Sequence, residues 1–131
     1  MTSPRTHLAI DSALVGTPVE LGSGRAVVAL VATAPMAADA RGLIHGGFIF
    51  GLADYAAMLA VNDPNVVLAS AEVRFVAPVV VGETVTATAE SDPPAGRKRK
   101  VRVVCASAGA RVFEGTFGCV VLDEHVLGAA S

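Results

Sequence analysis

A long apolar run with one acid in its middle constrains this chain more than any other feature. Residues 43–61 read LIHGGFIFGLADYAAMLAV, and Asp54 is the only carboxylate among them. Gly46-Gly47 stands near the start of the run, and Asn62-Asp63-Pro64 follows it. Those brackets predict a helix of about 15 residues. The helix is apolar nearly all round, so most of its faces must be buried. It is not a membrane span. A span wants about 20 mostly apolar residues, and a carboxylate at the bilayer centre is expensive. The helix therefore has to be enclosed by protein.

The rest of the chain supplies strands to enclose it. Residues 25–33 (RAVVALVAT) read as a Val-rich strand, followed by a loop over 34–44. Residues 66–76 alternate, with Ala69, Ala71, Val73 and Phe75 on one face and Ser70, Glu72 and Arg74 on the other. Pro78 and Gly82 end that strand. Residues 83–91 alternate Val85, Ala87 and Ala89 against three threonines. The loop DPPAGRKRK leads to a strand over 100–108, and a turn at Gly109 returns the chain over 111–122. Four successive strands with short links predict an antiparallel meander. The class is α+β: an antiparallel sheet wrapped around one central hydrophobic helix. Residues 1–24 are punctuated by Gly and Pro, with a short helix expected near 7–14. Residues 128–131 read as a frayed tail. The expectation is a single domain over residues 1–131.

Composition narrows the function. A chain of 131 residues buries roughly two-thirds of its unfolded surface. With 53% hydrophobic and 17% charged residues, disorder is excluded. A net charge of -2 argues against nucleic acid as the main partner. A chain this apolar is expected to hide surface in a homodimer or homotetramer. The N-terminus has no basic region leading into an apolar run, which predicts no signal peptide and a cytoplasmic location. Cys105 and Cys119 lie in Val-rich strands and read as free, buried thiols. His7, His45 and His125 are far apart without metal-ligand spacing, so no metal is expected.

The chemistry centres on His45-Gly46-Gly47 and Asp54. A buried carboxylate costs several kcal/mol unless it is hydrogen-bonded or neutralised. Asp54 is therefore either bonded to a nearby hydroxyl or backbone group, or held in a pocket with a displaced pKa for acid–base work. Gly46-Gly47 is either a tight turn or an approach to the free N–H groups and positive dipole end of a helix. Gly46 and Asp54 lie eight residues apart, about 12 Å along a helix. One small reacting group cannot touch both on the same helix. Two helices running antiparallel across a two-fold axis would bring Gly46 of one subunit to Asp54 of the other.

The stretch HGGFIFGLADYAAMLAVN resembles the signature of hotdog-fold acyl-CoA thioesterases of the phenylacetate-pathway, or PaaI-like, group. The downstream stretch ASAEVRFVAPVVVGETVTATAE is similar to the same family's following strands. The resemblance covers roughly residues 27–121. It implies hydrolysis of a small, medium or aryl acyl-CoA to free acid and coenzyme A, with no cofactor beyond the coenzyme A of the substrate. It assigns the backbone N–H at Gly46 to the thioester carbonyl, and Asp54 of the partner subunit to nucleophilic attack or to activation of water. His45 orients the loop or touches substrate beside Gly47, or is a helix-start residue bonded to backbone. Asn62 matches an Asn at the helix end, where it stops the helix or reaches substrate. Tyr55 lines an acyl pocket or packs in the subunit interface. Ser70 faces a pocket or solvent. Arg97, Lys98, Arg99 and Lys100 form a solvated turn or a seat for the phosphates of coenzyme A. Met58 departs from relatives that carry Ser or Thr one turn after the carboxylate. The alternatives are an acyl-thioester hydratase or dehydratase, and a non-catalytic acyl-CoA-binding hotdog protein.

Overall fold

The computed structural model describes residues 2–128. The expected tail, apart from Gly128, lies outside the described residues. The elements run α1 (Ser12–Val15), β1 (Thr17–Gly22), β2 (Arg25–Val31), a 3₁₀ turn (Ala34–Met36), α2 (Gly46–Val61), β3 (Val66–Phe75), β4 (Thr84–Ser91), β5 (Lys98–Ser107) and β6 (Ala110–Val121). The strands form one antiparallel sheet in the order β1-β2-β4-β5-β6-β3. The helix α2 lies across one face of it.

The helix forms where its punctuation predicts. Gly46 is its first residue, and Asn62 ends it in the left-handed conformation at φ 52°. Its interior is fully buried at Leu52, Ala53, Ala56, Ala57 and Leu59. The run of alanines lets the helix approach the sheet closely. The sheet answers with Val85, Ala87 and Ala89 of β4, Val101 and Val103 of β5, and Phe113 and Phe117 of β6, all buried. Ring contacts run from the helix into the sheet and across to its edge. Phe50 of α2 meets Phe117 at 5.5 Å, Phe113 lies 6.4 Å from Phe117, and Phe75 of β3 meets Phe113 edge-on at 5.2 Å. Such pairs add about 0.5–1.5 kcal/mol each beyond the area they bury.

The meander is corrected in one respect. β4, β5 and β6 are consecutive neighbours, but β3 pairs with β6 and not with β4. The link over 76–83 is not a hairpin, whose loops run to about five residues. It crosses the end of the sheet instead. Val76 and Ala77 donate to Val112 O, Ile44 donates to Val79 O, and Leu43 bridges Val80. Pro78 and Gly82 end the strand by re-routing the chain across the sheet.

Other boundaries shift as well. The N-terminal segment contains a strand, β1, that the sequence pattern does not predict. Pro18 and two glycines mask its short alternation, and a bulge interrupts its pairing with β2. The helix expected near 7–14 is a single turn at Ser12–Val15, capped by Asp11 Oδ1 on Ala13 N. β2 ends at Val31, and β5 begins at Lys98, so Lys98–Lys100 are strand residues and not part of the turn.

β3 is an edge strand and is exposed over most of its length. A bulge between Leu68 and Ser70 resets its register with β6. Leu68, Ala71, Val73 and Phe75 then face the side of α2, and Ser70, Glu72 and Arg74 the other side. Two glycines of β6 let β3 come close. A Cβ on Gly115 would meet Val73 Cγ1 at 2.6 Å and Glu72 O at 3.0 Å, and one on Gly118 would press only on the rotatable Ser70 hydroxyl. Gly115→Ala should therefore destabilise the protein by about 1–3 kcal/mol, while Gly118→Ala should change stability by less than about 1 kcal/mol. Urea denaturation of the two variants beside wild type checks this; equal effects would refute the packing account.

Candidate active site

The N-terminal end of α2 is built to leave donors free. His45 is the N-cap residue, but its side chain makes no capping bond. Its own N–H is taken by Met36 O at 3.0 Å, and its carbonyl accepts from Phe48 N at 3.1 Å. No described group accepts from the N–H of Gly46 or Gly47. Two amides therefore point out of the helix at its positive end, where an anion or a polarised carbonyl is stabilised. A side chain at either glycine would crowd its neighbours. A Cβ on Gly46 would lie 3.0 Å from the Phe75 ring, and one on Gly47 would lie 3.0 Å from Cδ2 and Nε2 of His45. The His45 ring thus folds over Gly47 and stands edge-on to Phe48 at 6.1 Å.

Asp54 lies two turns further along α2, on the stripe facing β6. Its Oδ1 is buried without any hydrogen-bond partner among the described residues. Among the described residues no hydroxyl or backbone group bonds that oxygen, so the bonded alternative is not met there. Burial holds the Asp54 carboxyl above the ordinary carboxylate value. Cys119 sits close enough to feel its charge. Burial first, and then Asp54, push that thiol up to about 11. Cys105 is pushed up to about 12 by burial alone. Both thiols stay protonated at neutral pH and are poor nucleophiles.

The remaining residues sort into three places. Asn62 is turned to the N-terminal segment: its Oδ1 accepts from Arg5 N at 2.7 Å and its Nδ2 donates to Ser3 O at 3.0 Å. It stops the helix and ties down the leading residues. Tyr55 is buried, with its ring 6.1 Å from that of His7. Ser70 lies over Gly118 on the face of the sheet away from α2, so it does not join Asp54 within one chain. It does meet the basic cluster. Ser70, Lys98, Arg99 and Lys100 line one open groove of about 640 Å³ together with Glu72 and Thr116. Arg97 points elsewhere and pairs with Asp123. Among the described residues no three His, Cys, Asp or Glu side chains come together as a metal site.

The profile of the thioesterase superfamily matches residues 41–91, which hold α2, β3 and β4. An uncharacterized protein of Pyrococcus horikoshii is 48% identical over 97% of this chain and 98% of its own, with TM-score 0.95. The phenylacetic acid degradation protein PaaI of Thermus thermophilus, in a mutant form, is 33% identical over 85% of this chain and 96% of its own, with TM-score 0.77. This chain belongs to the hotdog-fold thioesterase superfamily, in its PaaI-like group. A curated relative carries a different name. The methylthioribose-1-phosphate isomerase of Aquifex aeolicus is 51% identical over 120 residues, which are 92% of this chain but 26% of that protein. The chain thus spans about a quarter of that relative's length.

Asp54 is an unpartnered carboxylate in an apolar helix. Its folded-state pKa is raised, so it is most compatible with folding when protonated, below its unfolded value. The penalty grows as pH rises through the folded pKa. Asp54→Asn should therefore be more stable than wild type at pH 7, and the gap should close toward pH 4. Denaturation curves at the two pH values check this; a gap that widens on acidification would contradict the burial account.

Proposed function

We propose that this protein hydrolyses acyl-CoA thioesters, releasing a free acid and coenzyme A. One observation carries the reading above the others. An unpartnered, partly buried carboxylate and an unpartnered pair of helix N-terminal amides lie on the same helix of a thioesterase-superfamily domain. The first can attack or activate; the second can stabilise negative charge on a carbonyl oxygen.

The two halves are about 12 Å apart along α2. We therefore assign each site to two copies of the chain, with Gly46 from one and Asp54 from the other. The exposed, unpaired edge of β3 favours this arrangement, because a long free edge invites another strand. In the reaction the thioester carbonyl accepts from Gly46 N–H. The carbonyl carbon is attacked by the Asp54 carboxylate, or by a water whose proton Asp54 takes. The C–S bond then breaks, and the departing sulfur leaves as the thiol once protonated. If Asp54 attacks directly, water next cleaves the mixed anhydride and restores the carboxylate. His45, folded over Gly47, lines the entrance. Lys98, Arg99 and Lys100, with Ser70, form the seat for the phosphates of coenzyme A.

Thiol release from a panel of acyl-CoAs tests the reading. Asp54→Asn should lower kcat at least about 100-fold while the fold and assembly persist. Gly46→Pro removes the N–H at the first helical position, where proline is tolerated, and made together with Phe75→Ala it avoids the ring that its Cβ would crowd. His45 already has the extended conformation that precedes proline. This variant should lose about 10²–10³ in kcat. Equal turnover in Asp54→Asn would sink the site assignment. An isomerisation assay on methylthioribose 1-phosphate, run alongside, decides whether the name of the Aquifex relative extends to this chain.

The pH profile provides a second test. Asp54 must be ionised to attack or to accept a proton, and burial raises its pKa. kcat/KM should rise with pH along an acidic limb whose midpoint lies above the ordinary value of 3.8. A limb at or below that value would show that another group titrates.

A further inference from the structure

A cavity of about 340 Å³ opens beside Gly46, lined by Ile44, Ile49, Phe75, the link over 76–79, and Val112. None of these side chains is polar or charged. Several of the backbone N–H groups there are also taken. Val76 and Ala77 N–H both go to Val112 O at 2.8 and 3.2 Å, and Ile44 N–H goes to Val79 O at 2.8 Å. Pro78 has no N–H to offer. Gly46 contributes the contrast, an N–H at the corner of the cavity that no described group accepts. The volume falls at the lower end of the range for small-molecule sites.

We infer that this cavity seats the acyl group, that it selects uncharged apolar acyl groups over those bearing a hydroxyl or carboxylate, and that Phe75 limits their length. This rests on the thioesterase reading of the same site. The geometry fits an apolar tail because its carbonyl end meets Gly46 and the rest meets only hydrocarbon. A hydroxyl placed there loses its water and finds no side-chain partner. Phe75 stands at the mouth with its ring against the Gly46 corner and its edge on Phe113, and it is 57% exposed. Ala77 is also exposed on the rim, and truncating Phe75 gives up one edge contact with Phe113.

Binding of non-hydrolysable CoA thioethers to the full chain tests this without turnover. Calorimetry would compare S-ethyl-, S-hexyl-, S-decyl- and S-(6-hydroxyhexyl)-CoA on wild type, Phe75→Ala and Ala77→Trp. Wild type should bind S-hexyl-CoA about 10- to 100-fold more tightly than its hydroxylated counterpart. Each methylene that enters the cavity should add up to about fourfold. Ala77→Trp should erase the preference for hexyl over ethyl, and Phe75→Ala should shift the preference from hexyl toward decyl. The inference is overturned if the hydroxyhexyl thioether binds as well as hexyl. It is also overturned if neither variant changes the chain-length ranking, or if no thioether binds. Asp54-dependent thiol release without this ranking would sink the acyl seat and leave the thioesterase reading standing. The ranking without any thiol release would do the reverse.

Discussion

The burial of α2 is the constraint on which the rest of the structure depends. A helix that is apolar on nearly every face cannot rest on a surface, so the sheet must curve round it. The alanines of α2 set how close the sheet can come, and the small inward residues of β4 match them. At β6 and β3 the apolar contacts are made by larger rings. Phe50, Phe117, Phe113 and Phe75 run from the helix out to the free edge.

The same burial gives the candidate site its chemistry. A helix enclosed by its sheet holds its N-terminal amides rigidly, and the link over 76–83 brings Phe75 and the apolar cavity to that end. A carboxylate placed on the same helix loses water and gains no partner, so its pKa rises. Stability is given up at Asp54, and the fold withstands this because the surrounding core is dense. A buried carboxylate without a partner is the kind of group whose pKa is displaced.

Much of this is legible in the residues themselves. The helix can be read from its glycines and its Asn-Asp-Pro stop, and Asp54 stands out because an ionisable group in such a run demands explanation. The alternation of β3 and β4 identifies strands and their faces. The pairing of β3 is not legible, because alternation names a strand and a face but no neighbour. β1 is hidden by Pro18 and its bulge. Asn62 matches a helix-end position in the resemblance, and only the contacts to Ser3 and Arg5 show what its amide does. Phe75 reads as one apolar residue of a strand. A further clue lies in the sequence: a large aromatic residue at a strand end, followed by an apolar link too long for a hairpin.

The sequence by itself determined the buried helix, its breakpoints and the odd carboxylate within it. These are local matters, settled by residue type, spacing and the cost of burying charge. The tertiary structure decided which strand lies at the edge, which amides stay free and which side chains meet across the sheet. Those depend on contacts between residues far apart in the chain, and periodicity carries no information about partners. Gly46 shows the division. Its conformational freedom is written in its type, but the ring of Phe75 against it and the cavity beside it exist only once β3 has crossed to β6.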